Sequence, residues 1–158
     1  MPRAIVAAAV AALLFAAGCG GSSSSGGSSS GGSPESQVDN AFHSYLNGLA
    51  DTNGDAACAQ MSKSLQAQMI KAMEAAGAGA VTKGRSCGEV LDFVAKNVPT
   101  YAKTVALLKN AKTSNIKVNG DMATYDWSVD VNGQTVKSHG AAAKEGDKWL
   151  ITCCVPGQ

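Results

Sequence analysis

Residues 118–131 read VNGDMATYDWSVDV. Ala123, Tyr125, Trp127, Val129 and Val131 alternate with Thr124, Asp126, Ser128 and Asp130. A period of two puts the first set on one face of a strand and the second on the other. Asn119-Gly120-Asp121 ahead of the strand and Asn132-Gly133 behind it are hairpin turns, because both supply residues that tolerate positive φ. The spacing therefore predicts a partner strand on each side. One runs from about Lys112 through Ile116 and Val118, and the other from Val136 to Ala143. Glu145-Gly146-Asp147 turns once more, into a fourth strand, Lys148-Trp149-Leu150-Ile151-Thr152.

Upstream the period is helical. Ser33 is a cap, Pro34 suits the first helical position, and Glu35 favours the positive end of the helix dipole. Val38, Ala41, Phe42, Tyr45, Leu46 and Leu49 then form one apolar stripe. Asn53-Gly54-Asp55 breaks it, with Asp55 expected to cap a short helix carrying Ala57, Cys58 and Met61. A third helix is predicted from about Ser64, with Leu65, Met69, Ile70, Met73 and Ala76 inward and Gly77 and Gly79 as its stop. Residues 77–85, GAGAVTKGR, lack the phosphate-loop spacing and read as a loop. Ser86-Cys87-Gly88-Glu89 fits a capping box, opening a helix with Val90, Leu91, Val94 and Val98 that Pro99 ends. Thr100 starts one more, with Tyr101, Val105 and Leu108. Helices followed by a meander of four antiparallel strands make an α+β domain, one unit over residues 34–158.

The chain begins with Met1, Pro2 and Arg3 and carries no further charge through Gly18. The apolar core, Ala4 to Ala17, would span roughly 21 Å as a helix, short of the ~30 Å hydrocarbon core of a bilayer. Residues 1–18 therefore read as a secretory signal. Phe15-Ala16-Ala17-Gly18-Cys19 resembles the lipobox of bacterial lipoproteins, with Ala16 where that family usually carries Leu. The resemblance implies that Cys19 is lipidated and becomes the new N-terminus, and two or three acyl chains anchor firmly. Gly20 to Ser33 is glycine and serine only, a flexible tether reaching on the order of 20 Å. The expected location is the extracytoplasmic face of the cell membrane.

Cleavage before Cys19 removes Arg3, leaving 12 Lys and Arg against 12 Asp and Glu. Near-zero charge without a basic block argues against nucleic acid as a partner. Four cysteines remain, Cys58, Cys87, Cys153 and Cys154, and an even count outside the cytoplasm favours disulfides, with three pairings open. Cys153 and Cys154, adjacent on a strand, point to opposite faces. There is no CxxC and no histidine beside a cysteine, so no metal site and no cofactor are expected.

The amphipathic first helix, a cysteine after a Gly-Asp turn, a second cysteine opening a later helix, then VNGDMATYDWSV and KEGDKWLI resemble the nuclear-transport-factor-2-like superfamily. Small actinobacterial lipoproteins of that fold are the nearer likeness, over about residues 35–154. The resemblance implies a curved sheet wrapped around a helix, a Cys58–Cys87 disulfide, a cone whose mouth takes an apolar ligand, and dimerisation through the sheet in many members. Tyr45, Tyr101, Trp127 and Trp149 are the candidate pocket residues.

Catalysis in such a pocket needs a buried carboxylate or histidine with a donor for the developing enolate. His43 lies off the helix stripe, His139 shares a strand face with Lys137, and Asp126 and Asp130 sit opposite Tyr125 and Trp127. No catalytic residue is assigned. The favoured reading is a non-enzymatic, membrane-anchored lipoprotein that binds a small apolar ligand or an envelope protein. The alternatives are an isomerase- or SnoaL-like pocket enzyme and a purely structural accessory domain.

Overall fold

The computed structural model describes residues 32–152. The signal segment 1–18, Cys19, most of the tether, and the Cys153–Cys154 pair lie outside the described residues. Helix α1 is Pro34–Ala50, α2 Gly54–Cys58, α3 Lys63–Met73, α4 Gly79–Thr82, α5 Cys87–Asn97 and α6 Tyr101–Leu108. Strands β1 Lys112–Asn119, β2 Met122–Val131, β3 Gln134–Glu145 and β4 Lys148–Thr152 follow. They form one antiparallel sheet in the order β1-β2-β3-β4. Helices first and a meander after is the α+β arrangement expected of this sequence.

Local chemistry explains most boundaries. The Ser33 hydroxyl accepts from Ser36 N and Pro34 opens α1. Ser86 and Glu89 make the reciprocal capping box of α5, with Ser86 N donating to Glu89 at 2.7 Å. The hairpin Asn132-Gly133 has positive φ at both residues, 52° and 80°, as its turn type requires. Three expectations need correction. Asn53, not Asp55, caps α2, because its Oδ1 accepts from Ala56 N at 3.0 Å while Asp55 sits in the first turn. Ser62 caps α3 ahead of Ser64. Residues 77–85 are not all loop: α3 runs into a π turn at Glu74–Ala78, Gly77 takes φ +82°, and α4 adds one more turn.

Helices α1, α3 and α6 pack against the sheet, while α2 packs on α1 and α5, and α5 on α6. On β2, Ala123, Tyr125, Trp127 and Val129 point into this core and are buried. Helix α1 crosses the face between β1 and β4 and also contacts α2 and α6. Asp39 of α1 accepts from Thr113 of β1. Glycines permit the closest approaches: a Cβ on Gly54 would lie 2.1 Å from Gly88 O, so α2 meets the start of α5 backbone to backbone. The Cys58–Cys87 disulfide closes the same junction, with Cα atoms 6.1 Å apart. A cross-link between positions 29 apart stabilises by about 3–4 kcal/mol in the chain-entropy picture.

The sheet's edges are handled differently. Ser62 N donates to Ile151 O and Ile151 N to Gln60 O, at 2.8 and 2.7 Å, so residues 60–62 cover the edge of β4. No described strand pairs with the outer edge of β1, which carries Lys112, Lys117 and a bulge between Ser114 and Lys117. Charges and a bulge on an edge oppose pairing with another chain. The extra residue places both Thr113 and Ile116 on the inner face, and Asn115 absorbs the irregularity with φ 51°.

Candidate functional site

Between the helices and the inner face of the sheet lies a cavity of about 150 Å³, partly open to the surface. Its walls come from sequence already read as core stripe. Phe42, Tyr45, Leu46 and Leu49 face it from α1, Leu91 and Val94 from α5, and Tyr101, Val105 and Leu108 from α6. Helix α3 contributes Leu65, Met69 and Met73, with Met61 just ahead of it. Thioether side chains are unbranched and adapt to irregular space, so this wall conforms to an occupant more readily than the aromatic one. Tyr125, Trp127 and Ile151 form the floor.

All three tyrosines of the chain, Tyr45, Tyr101 and Tyr125, line this cavity. Burial pushes the Tyr45 hydroxyl up to about 12, and the nearby Tyr101 hydroxyl adds to the shift. Burial likewise raises Tyr101 to about 12, with the Asp92 carboxylate contributing. Tyr125 is raised by burial and then by Tyr45. The three phenols thus form one electrostatic group, in which ionising any member opposes ionising its neighbour. Near neutral pH each is an uncharged donor, unsuited to proton abstraction from a substrate. The Tyr101 hydroxyl donates to Leu49 O at 3.3 Å.

Packing fixes the aromatic floor. Phe42 meets Tyr125 edge to face, ring centroids 5.4 Å apart, and lies 6.1 Å from Trp127. Tyr125 pairs with Gly140 across the β2–β3 ladder. A Cβ at 140 would come within 2.3 Å of Tyr125 Cζ, so the ring lies flat over the space that only glycine leaves.

The expected pocket residues divide. Tyr45, Tyr101 and Trp127 line the cavity; Trp149 does not. It is buried on the same face, but it stands two residues before Ile151, about 7 Å along the strand toward the 145–148 turn. Tyr125, not among the expected pocket residues, lines the cavity too: the alternation of β2 puts it on Trp127's face, and Gly140 across the ladder leaves room for its ring. Asp126 and Asp130 lie on the outer face, away from the helices. There Asp126 accepts from Asn115 Nδ2 at 2.7 Å and from His139 Nδ1 at 2.5 Å. The Asn115 and His139 hydrogen bonds hold its carboxyl below the usual range. His139 borders the cavity, yet its side chain is 64% exposed and engaged with Asp126. His43 sits 3.4 Å from Asp39 on α1. No Asp, Glu, Lys or Arg lines the cavity. Among the described residues no group of three or more His, Cys, Asp or Glu side chains is placed to hold a metal.

No known protein-family profile matches the chain, and no curated protein sequence matches it. One solved structure it resembles is described as an NTF2-like transpeptidase from Campylobacter jejuni. The two share 17% identity over 77% of this chain and 98% of that one, with a TM-score of 0.42. The site is therefore read from its own geometry, an α+β domain enclosing an apolar cavity lined by three phenols.

Proposed function

We propose that this chain is an exported lipoprotein of the nuclear-transport-factor-2-like kind, anchored through Cys19, whose domain binds a small apolar ligand without transforming it. The leading segment, the lipobox-like Cys19 and the Gly/Ser tether support the anchor. Among the described residues no helix is long and apolar enough to cross a membrane.

The cavity carries the binding half of the proposal. Apolar side chains wall it, and its volume of about 150 Å³ falls below the ~300–1,000 Å³ of sites for drug-sized molecules. A dry apolar cavity of about 150 Å³ accommodates benzene, which sets the scale of the ligand. An isomerase or cyclase would need a carboxylate or histidine acting on the inner wall. Asp126 and Asp130 belong to the opposite face, and His139 is tied to Asp126.

Native mass spectrometry of the protein extracted from its own membrane tests both halves. The expected mass begins at Cys19, carries acyl chains, and is accompanied by a small uncharged molecule that dissociates on activation. A mature mass without acyl chains contradicts the anchor. An acylated protein that never retains a molecule, and takes up none when offered small aromatics, contradicts the binding role.

A further inference from the structure

The polar groups of the cavity narrow what it binds. Four of the lining side chains that carry one are already engaged. Thr104 Oγ1 donates to Thr100 O at 3.1 Å, and Thr152 Oγ1 accepts from Ser62 Oγ at 3.0 Å. Tyr101 donates to Leu49 O, and His139 to Asp126. Three donors are left with no hydrogen-bond partner among the described residues: the hydroxyls of Tyr45 and Tyr125, and the Trp127 indole N–H on the floor beside them. Tyr125 is only 3% exposed. Among the described residues no side-chain oxygen or nitrogen is both sealed off and unpartnered. The Tyr125 hydroxyl therefore borders open space, and the cavity is the space its ring lines. Its position is held by Gly140 beneath and Phe42 at its edge.

Resting on the binding role above, we propose that the ligand is a small uncharged molecule, about one ring in size, whose oxygen accepts hydrogen bonds from the Tyr45 and Tyr125 hydroxyls. An apolar occupant without an acceptor would leave buried donors unsatisfied, a penalty that selects against it. An ionic occupant would shed its hydration where no Asp, Glu, Lys or Arg lines the cavity and His139 is already tied to Asp126. Rings fit the aromatic floor of Phe42, Tyr125 and Trp127, where edge-to-face contact is available. Both phenols resist ionisation, so their donor capacity persists throughout the physiological range.

Three near-isosteric compounds test this: acetophenone, which carries one carbonyl acceptor, ethylbenzene, which carries none, and benzoate, which is charged. Each is titrated into the full chain labelled with 13C at the methionine methyls, and the affinity is read from the Met61, Met69 and Met73 signals. Acetophenone is expected to bind about tenfold more tightly than ethylbenzene, the value of one hydrogen bond, with benzoate weakest. The double variant Y45F/Y125F is expected to lose the acetophenone preference while still binding ethylbenzene, which reports that the cavity is intact. Equal affinities in the unaltered chain, strongest binding of benzoate, or a preference that persists in the double variant would overturn the inference while leaving apolar binding in place. Failure of all three to shift those signals would overturn the binding role itself.

Discussion

Tyr125 and Asp126 are neighbours in one strand, yet their acidities move in opposite directions for opposite reasons. Tyr125 faces the helices, where burial and the Tyr45 hydroxyl oppose its ionisation. Asp126 faces outward, where Asn115 and His139 donate to its carboxylate and favour the charge. The two faces of the sheet thus divide the work. The inner one strips water from phenols and keeps them neutral, while the outer one satisfies charges by hydrogen bonding at the surface. A function that depends on uncharged donors belongs on the inner face.

The largest test of this division is a pair of truncations one residue apart. Trp127→Ala, on the inner face, is expected to cost about 3–5 kcal/mol, and Ser128→Ala, on the outer face, to stay within about 0.5 kcal/mol. Urea unfolding of both variants measures the contrast, and similar losses would break it. A smaller effect is expected at the glycine that seats Tyr125. Gly140→Ala forces the ring to move, at about 1–3 kcal/mol, and a lowered midpoint together with an altered tyrosine fluorescence would register it.

The smallest effect lies on the outer face. A lowered folded-state pKa means that the stability Asp126 contributes is intact above the ordinary carboxylate range, about 4. That stability is lost as pH falls through the lowered value. Asn115→Ala and His139→Ala should each return the Asp126 carboxyl toward the ordinary range in a 13C-detected titration. If neither moves it, those hydrogen bonds are not the cause.

Much of this arrangement was legible in the chain, for reasons that can be named. The alternation from Ala123 to Val131 assigns Tyr125 and Trp127 to one face without any knowledge of partners. Ser33, Ser86 and Glu89 act within four residues, so their caps are local signals. The β1 bulge is different in kind. It exists only in the pairing of Ser114 with Asp126 and Lys117 with Thr124, and nothing in residues 112–119 alone marks the extra residue. The cavity was half visible. A helical stripe shows that Tyr45 and Tyr101 turn inward, but whether inward side chains fill the space depends on how α1, α3 and α6 meet the sheet. Trp149 illustrates the limit: it has the same composition and the same face as a pocket residue, but sits one step too far along β4.

Alkaline spectrophotometric titration of the phenolate band tests most directly whether burial on the inner face keeps the phenols neutral, because the chain's three tyrosines all line the cavity. Ordinary tyrosine ionises near 10, and Tyr45 and Tyr101 are raised to about 12. A raised folded-state pKa means that the stability these phenols contribute is complete below about pH 10 and is lost as pH rises toward the folded values. The predicted trace is therefore flat through pH 10 and 11, with all three phenolates appearing together as the domain unfolds near pH 12. Reversible ionisation of any tyrosine at about pH 10 in the folded protein would place its hydroxyl in bulk water and contradict the burial of the phenols.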